Sequence, residues 1–197
     1  MLSYFINEDY KSWDLINNSE YNLMIIKDAC KLDLYNIKIH EFSMIWNRNE
    51  LNYFKTNLDF CPLLEKFISR MATNFAMVAN SNTYIIKLEH IKNSACKAFH
   101  DDKLDKRLIC TLYGPGGTQW ADTKNVNYEY LNKHFHSAEE KNSKLIKGLS
   151  QINTSDIGDV LLMKGSASNA QYSLVHRSYP LEQGEDRWVF TISEQFK

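Results

Sequence analysis

From Thr83 onward the chain is a succession of short strand-like runs broken by turn residues, and that pattern restricts its fold more than any other feature. The runs are TYIIKLEHI (83–91), RLICTLYG (107–114), GTQWAD (117–122), IGDVLLMKG (157–165), YSLVHRS (172–178) and RWVFTIS (187–193). They are rich in β-branched and aromatic residues, and Gly, Asp, Asn and Ser separate them, which predicts an antiparallel sandwich or barrel. Between the third and fourth runs, residues 127–149 are polar and read as partly helical. Residues 1 to about 80 read as mostly helical. In CPLLEKFISRMATNFAMVAN (61–80), Leu64, Phe67, Ile68, Met71, Phe75 and Val78 recur at three- and four-residue steps on one face, and Pro62 suits a first helical turn. NRNELNYFKTNL (47–58) reads as a second helix. With no linker between the halves, the expectation is an α+β chain forming one domain over 1–197. Residues 1–81 are its mostly helical support, and 82–197 are its β core with the candidate site.

A chain of 197 residues can bury a core without disulfides. The net charge is −1, from 23 basic and 24 acidic residues, so no global field draws it to nucleic acid or an anionic membrane. Cys30, Cys61, Cys96 and Cys110 form no CxxC pair and read as reduced thiols. The first residues, MLSYFINEDYKSWDL, lack a basic segment followed by an apolar one. No apolar run reaches the ~18 residues that span a bilayer. The expectation is a cytoplasmic protein.

The candidate chemistry centres on FHDD. On a strand, i and i+2 share a face, so His100 and Asp102 can offer a nitrogen and an oxygen to one ion. His176, on a separate run, can complete a two-histidine, one-carboxylate set. Such a set leaves three octahedral positions open, as in non-haem Fe(II) oxygenases. Arg187, eleven residues after His176, opens the last run. Its guanidinium suits bidentate binding of the far carboxylate of an iron-bound keto acid. The competing reading of HxD is a solvated surface turn, and that of Arg187 a strand residue paired with Asp186 or Glu185. Alternation along 107–113 puts Arg107, Ile109, Thr111 and Tyr113 on the more polar face, with Leu108, Cys110 and Leu112 opposite. Thr111, Tyr113 and Thr118 are candidate pocket residues, and Tyr113 a candidate hydrogen-bond partner of the keto acid. Arg107 pairs with Asp102 or contacts substrate. Asp101 points away from His100 on a regular strand and ranks below Asp102. Trp120 and Trp188 read as packing residues. His134 and His136 read as a solvated helix start rather than a second metal pair. Cys96 and Cys110, near His100, raise a zinc alternative.

The order HxD, His, Arg resembles the Fe(II)/2-oxoglutarate-dependent dioxygenases, and FHDD, RLICTLY, GDVLLMKG, LVHRSYP and DRWVFTI resemble the strand order of prolyl-hydroxylase-like members. The chain also resembles a bacterial domain-of-unknown-function family with FHxD, an arginine-led strand ending in TYxGPGTxW, and VHRSP. The likeness covers roughly residues 82–193. It implies a double-stranded β-helix (jelly-roll) core, Fe(II) held by His100, Asp102 and His176, and 2-oxoglutarate held by Arg187 with Tyr113 and Thr111. The activity it implies is oxidation, usually hydroxylation, of a substrate that the family does not name. Two departures stand out: YGPGGTQW has an extra glycine, and VHRSYP has Tyr179 inserted before Pro180. The alternatives are a non-catalytic metal-binding module, with zinc as a candidate ion, and a protein-interaction domain.

Overall fold

Two sheets stacked between two helices build the protein. The structure, a computed structural model, describes residues 4–7, 13–30, 39–49, 61–93, 96–168 and 172–195. The larger sheet has seven strands: β1 (Tyr4–Asn7), β2 (Leu23–Ile26), β3 (Phe42–Asn47), β4 (Thr83–Ile91), β5 (Lys106–Tyr113), β8 (Val160–Lys164) and β10 (Arg187–Glu194). Their order is β1-β2-β8-β5-β10-β4-β3, antiparallel except for the β1–β2 pair. The smaller sheet joins β7 (Ile152–Thr154), β6 (Gln119–Ala121) and β9 (Val175–Arg177) in that order. The helices are α1 (Pro62–Val78) and α2 (Ala138–Leu145).

Alternation sorts the side chains of the large sheet into two cores. Leu108, Cys110 and Leu112 of β5, Val160 and Leu162 of β8, and Phe190 and Ile192 of β10 face α1. There they meet Leu64, Phe67, Ile68, Met71 and Phe75. Each large apolar side chain so buried contributes ~1.5–3 kcal/mol. On the other face, Leu23, Ile25, Leu161 and Met163 pack against Trp120 and Leu174, which come from the small sheet and its approach. The outer side of the small sheet, at Ala121 and Val175, is closed by Leu131, Leu145 and Ile146 around α2. The layers are therefore α1, large sheet, small sheet, α2.

The helical reading of the N-terminal residues is corrected. Helix α1 stands as expected, with Pro62 in its first turn. Ahead of it, the described residues hold three strands and a 3-10 turn at Trp13–Asn17. The run LMII became the buried strand β2, four residues each out of solvent. A short continuous apolar run has no period that tells strand from helix. Strand β3 does alternate, with Phe42, Met44 and Trp46 less exposed than Ser43 and Ile45. Of the expected helix at 47–58, residues 50–58 lie outside the described residues. Among the described residues, no helix is long and apolar enough to cross a membrane.

Candidate metal centre and carboxylate pocket

Strand register brings the two histidines together. Cross-strand partners share a face. Trp120 of β6 is paired with His176 of β9, and Trp120 packs toward the large sheet, so His176 also points between the sheets. His100 forms an isolated antiparallel bridge with His176. Each backbone N–H donates to the other's carbonyl, at 3.0 and 2.9 Å, and the ring centroids are 4.7 Å apart. Asp102 follows in the turn into β5, and one ligand atom from each of His100, Asp102 and His176 lies within 4.8 Å of the others.

The hydrogen bonds around the three residues leave their inner atoms free. Nδ1 of His100 lies 3.0 Å from the Ala98 carbonyl, and Nδ1 of His176 lies 3.3 Å from the Leu174 carbonyl. A carbonyl only accepts, so both Nδ1 atoms carry hydrogen, and in a neutral imidazole of that tautomer Nε2 keeps the lone pair. Burial pushes the His176 imidazole down to about 4, over the opposing pull of Asp102, so it is neutral and a competent ligand near pH 7. Oδ1 of Asp102 accepts from Arg107 Nη1 at 2.9 Å. Oδ2 is buried without a hydrogen-bond partner and lies 3.6 Å from His176 Nε2. Two lone pairs and an orphaned carboxylate oxygen facing one point are a donor set for a divalent cation. The set of two nitrogens, one oxygen and no sulfur suits Fe(II) with open positions.

A cavity of about 500 Å³ reaches this point, lined among others by His100, His176, Arg107, Ile109, Thr118 and Arg187. Arg187 is 2 % exposed. Its Nη2 donates to Ser178 Oγ at 2.6 Å, while Nε and Nη1 are buried with no partner. Burial lowers its pKa from the usual arginine value. The two acidic neighbours that a surface arginine would use are engaged elsewhere. Asp186 contacts His90 Nε2 at 2.7 Å, and Glu185 accepts from the Glu182 N–H. A buried, unpaired guanidinium is costly, and its two unpartnered N–H groups can donate to the oxygens of an anion.

The other residues singled out from the sequence fall as follows. Thr111 is buried with Oγ1 unpartnered, and Thr118 lines the cavity. Tyr113 leaves the face that alternation assigned to it. A bulge sets Trp188 opposite Tyr113 but Val189 opposite Thr111, skipping Leu112, and Tyr113 is not among the residues lining the cavity. Asp101 turns away and accepts from Ser173 Oγ. Trp120 packs between the sheets against Tyr4, and Trp188 stacks on His90. Cys110 faces α1. Cys96 borders the cavity, but the metal-capable cluster among the described residues contains no cysteine. His134 and His136 are exposed. Sequence reasoning missed Ser178, although it stands two residues after His176 on the same strand extension.

The turn before β6 shows why glycine is needed at two places. Gly114 has φ +139°, and a Cβ there would strike the Cβ of Arg187. A Cβ on Gly116 would clash with one edge of the Tyr179 ring. The two departures from the motif thus meet in space: the inserted tyrosine lies over the glycine-rich turn.

A family model described as "Protein of unknown function (DUF1826)" matches residues 48–193, beginning well before the 82 at which the motifs set in. No curated protein matches the sequence. Among solved structures, the fold is similar to dioxygenase for auxin oxidation 1 from Arabidopsis thaliana, solved as a 2-oxoglutarate complex. That match has a TM-score of 0.50 at 6 % identity and covers 100 % of this chain and 93 % of that one. A bsmA homologue from Methylobium petroleophilum matches at TM-score 0.46 and 9 % identity, over 96 % of this chain and 93 % of that one. A Pseudomonas putida prolyl-4-hydroxylase matches at 0.40 and 9 %, over 72 % of each chain. At 6 % identity the first of these likenesses carries the fold and not the activity.

Proposed function

The chain belongs to the DUF1826 family, and for this member we propose an Fe(II)- and 2-oxoglutarate-dependent oxygenase on a jelly-roll core. The observation that carries the reading is the pairing of two unmet demands in one cavity. Oδ2 of Asp102 has no hydrogen-bond partner and forms a metal-capable cluster with His100 and His176, and these two histidines line the same cavity as Arg187, whose Nε and Nη1 have no partner. A metal-chelating keto acid with a second carboxylate satisfies both. His100, Asp102 and His176 would hold the iron and Arg187 the distal carboxylate, while Thr111, though buried on β5, is not among the residues lining the cavity. Tyr113, set off that face by the bulge, has no part in it. When bound, the iron and keto acid supply the activation of dioxygen for oxidation of a second substrate.

The chain's own residues do the rest. Ala98 and Leu174 carbonyls fix the histidine tautomers, a role that typically matters 10–100-fold in metal affinity. Ser178 orients Arg187. Ile109 and Val189 give the cavity apolar surface beside these groups, which strengthens the charge interactions there. A structural zinc module has no use for the unpaired guanidinium, which is why the oxygenase is preferred to it. The test is turnover: reconstituted with Fe(II), the protein should convert 2-oxoglutarate to succinate, at least in a slow uncoupled reaction. Binding of zinc with no affinity for 2-oxoglutarate would reject the proposal.

A further inference from the structure

Arg107 stands between the metal cluster and the sheet, and its contacts are specific. From β5 it reaches Asp102 Oδ1 through Nη1 at 2.9 Å, and its Nε donates to Ser193 Oγ of β10 at 3.0 Å. Ser193 and Arg107 are register partners, so the guanidinium is anchored on its own sheet before it meets the carboxylate. The backbone of Asp102 is fixed independently, since its carbonyl accepts from the Ser166 N–H at 2.8 Å and from the Ser166 hydroxyl at 3.2 Å. With its backbone and one oxygen both held, Asp102 presents Oδ2, the oxygen without a hydrogen-bond partner, to His176.

That arrangement decides a count. Two histidines and a carboxylate bound through one oxygen leave three of six positions open. A keto acid uses two and dioxygen needs the third. A carboxylate bound through both oxygens would remove that third position. We infer that Arg107 is a positioning residue that keeps Asp102 a one-oxygen ligand and so preserves the open position. The inference rests on the metal site proposed above, and the experiment separates the two.

Three variants are loaded with Co(II) or Fe(II) without oxygen: Arg107→Met, Arg107→Lys and Ser193→Ala. Coordination is read by X-ray absorption, 2-oxoglutarate affinity by calorimetry at saturating metal, and the remaining open position by electron paramagnetic resonance of nitric oxide, a dioxygen surrogate, added to the Fe(II)–2-oxoglutarate complex. Arg107 is partly exposed, so the methionine variant should fold, and circular dichroism checks it. The wild type should show single-oxygen carboxylate ligation. Arg107→Met should still bind one metal and 2-oxoglutarate, gain one short metal–oxygen contact, and lose most of the nitric oxide signal of its Fe(II)–2-oxoglutarate complex. Arg107→Lys should restore most of that signal, and Ser193→Ala should show a smaller loss in the same direction. A general structural defect would weaken metal and keto acid together and would not be rescued by lysine. Unchanged ligation in Arg107→Met, or complete loss of its metal, overturns the inference. A wild type that binds metal but no 2-oxoglutarate overturns the oxygenase reading alone, and the absorption data still judge Arg107.

Discussion

Replacing Arg187 by methionine should make the metal-free protein more stable and the loaded protein nearly blind to its co-substrate. In the free protein the substitution removes one charge-assisted hydrogen bond, Nη2 to Ser178 Oγ at 2.6 Å, which contributes about 1.5–3 kcal/mol. It also removes two buried N–H donors without partners, Nε and Nη1, at about 1–3 kcal/mol each. Methionine fills most of the volume with apolar atoms, so the net is a gain of about 1–3 kcal/mol in unfolding free energy. That corresponds to a rise of ~2–4 °C in Tm per kcal/mol for a chain of this size. With metal bound, the distal carboxylate of 2-oxoglutarate is left buried without its partner. Breaking such a pair costs about 3–5 kcal/mol, roughly a 10²–10³-fold or greater loss of affinity. Arg187→Lys should recover part of the binding, since an ammonium lacks the bidentate fork. Urea unfolding of the metal-free proteins and calorimetry of the loaded ones measure the two effects. An Arg187→Met protein that is less stable and binds 2-oxoglutarate normally would refute the argument, because the guanidinium would then be a structural group.

Further outcomes follow from the same geometry. Asp102→Ala should abolish tight metal binding while leaving the circular dichroism intact, whereas Asp101→Ala, which loses Ser173 and not the metal, should keep metal affinity within a few-fold by calorimetry. The His176 imidazole has a folded pKa of about 4 against 6.5 unfolded, so the unfolded chain takes up the proton first. Stability of the metal-free protein from this residue should therefore fall as pH drops from about 6.5 through about 4, and His176→Gln should flatten that limb of the denaturation profile. Lys164 is fully buried, with Nζ on the Asn18 carbonyl at 2.7 Å, and burial with Lys106 nearby lowers its pKa to about 8. Its charged form is disfavoured in the folded state, so stability should rise between about pH 8 and 10.5, a rise that Lys164→Met should lack.

Much of the sheet was legible because half-buried strands alternate. Leu108, Cys110 and Leu112 separated from Arg107, Ile109 and Thr111 on that rule alone, and the structure puts the first three against α1. The rule failed where a side chain's surroundings are set at long range. LMII of β2 is buried on both faces between β1 and β8, so it carries no period. Tyr113 is displaced by a bulge whose partner, Trp188, lies 75 residues away. At the site, the residue types and their order suggested His100, Asp102, His176 and Arg187. The sequence could not reveal the His100–His176 bridge, the Arg107 clamp or the Ser178 contact, since each depends on strands that meet only in the folded chain. The unpartnered N–H groups of Arg187 were equally invisible, because Asp186 and Glu185 sit next to it in sequence and only folding turns them elsewhere.

The central claim is that one cavity completes itself with a ferrous ion and a dicarboxylate keto acid. It is tested most directly by adding Fe(II) to the protein without oxygen and titrating with 2-oxoglutarate while recording the visible spectrum. The account predicts a saturable iron-to-keto-acid charge-transfer band at one equivalent of each, absent in Asp102→Ala and shifted to much higher 2-oxoglutarate concentration in Arg187→Met. Iron binding with no such band at any 2-oxoglutarate concentration would contradict it.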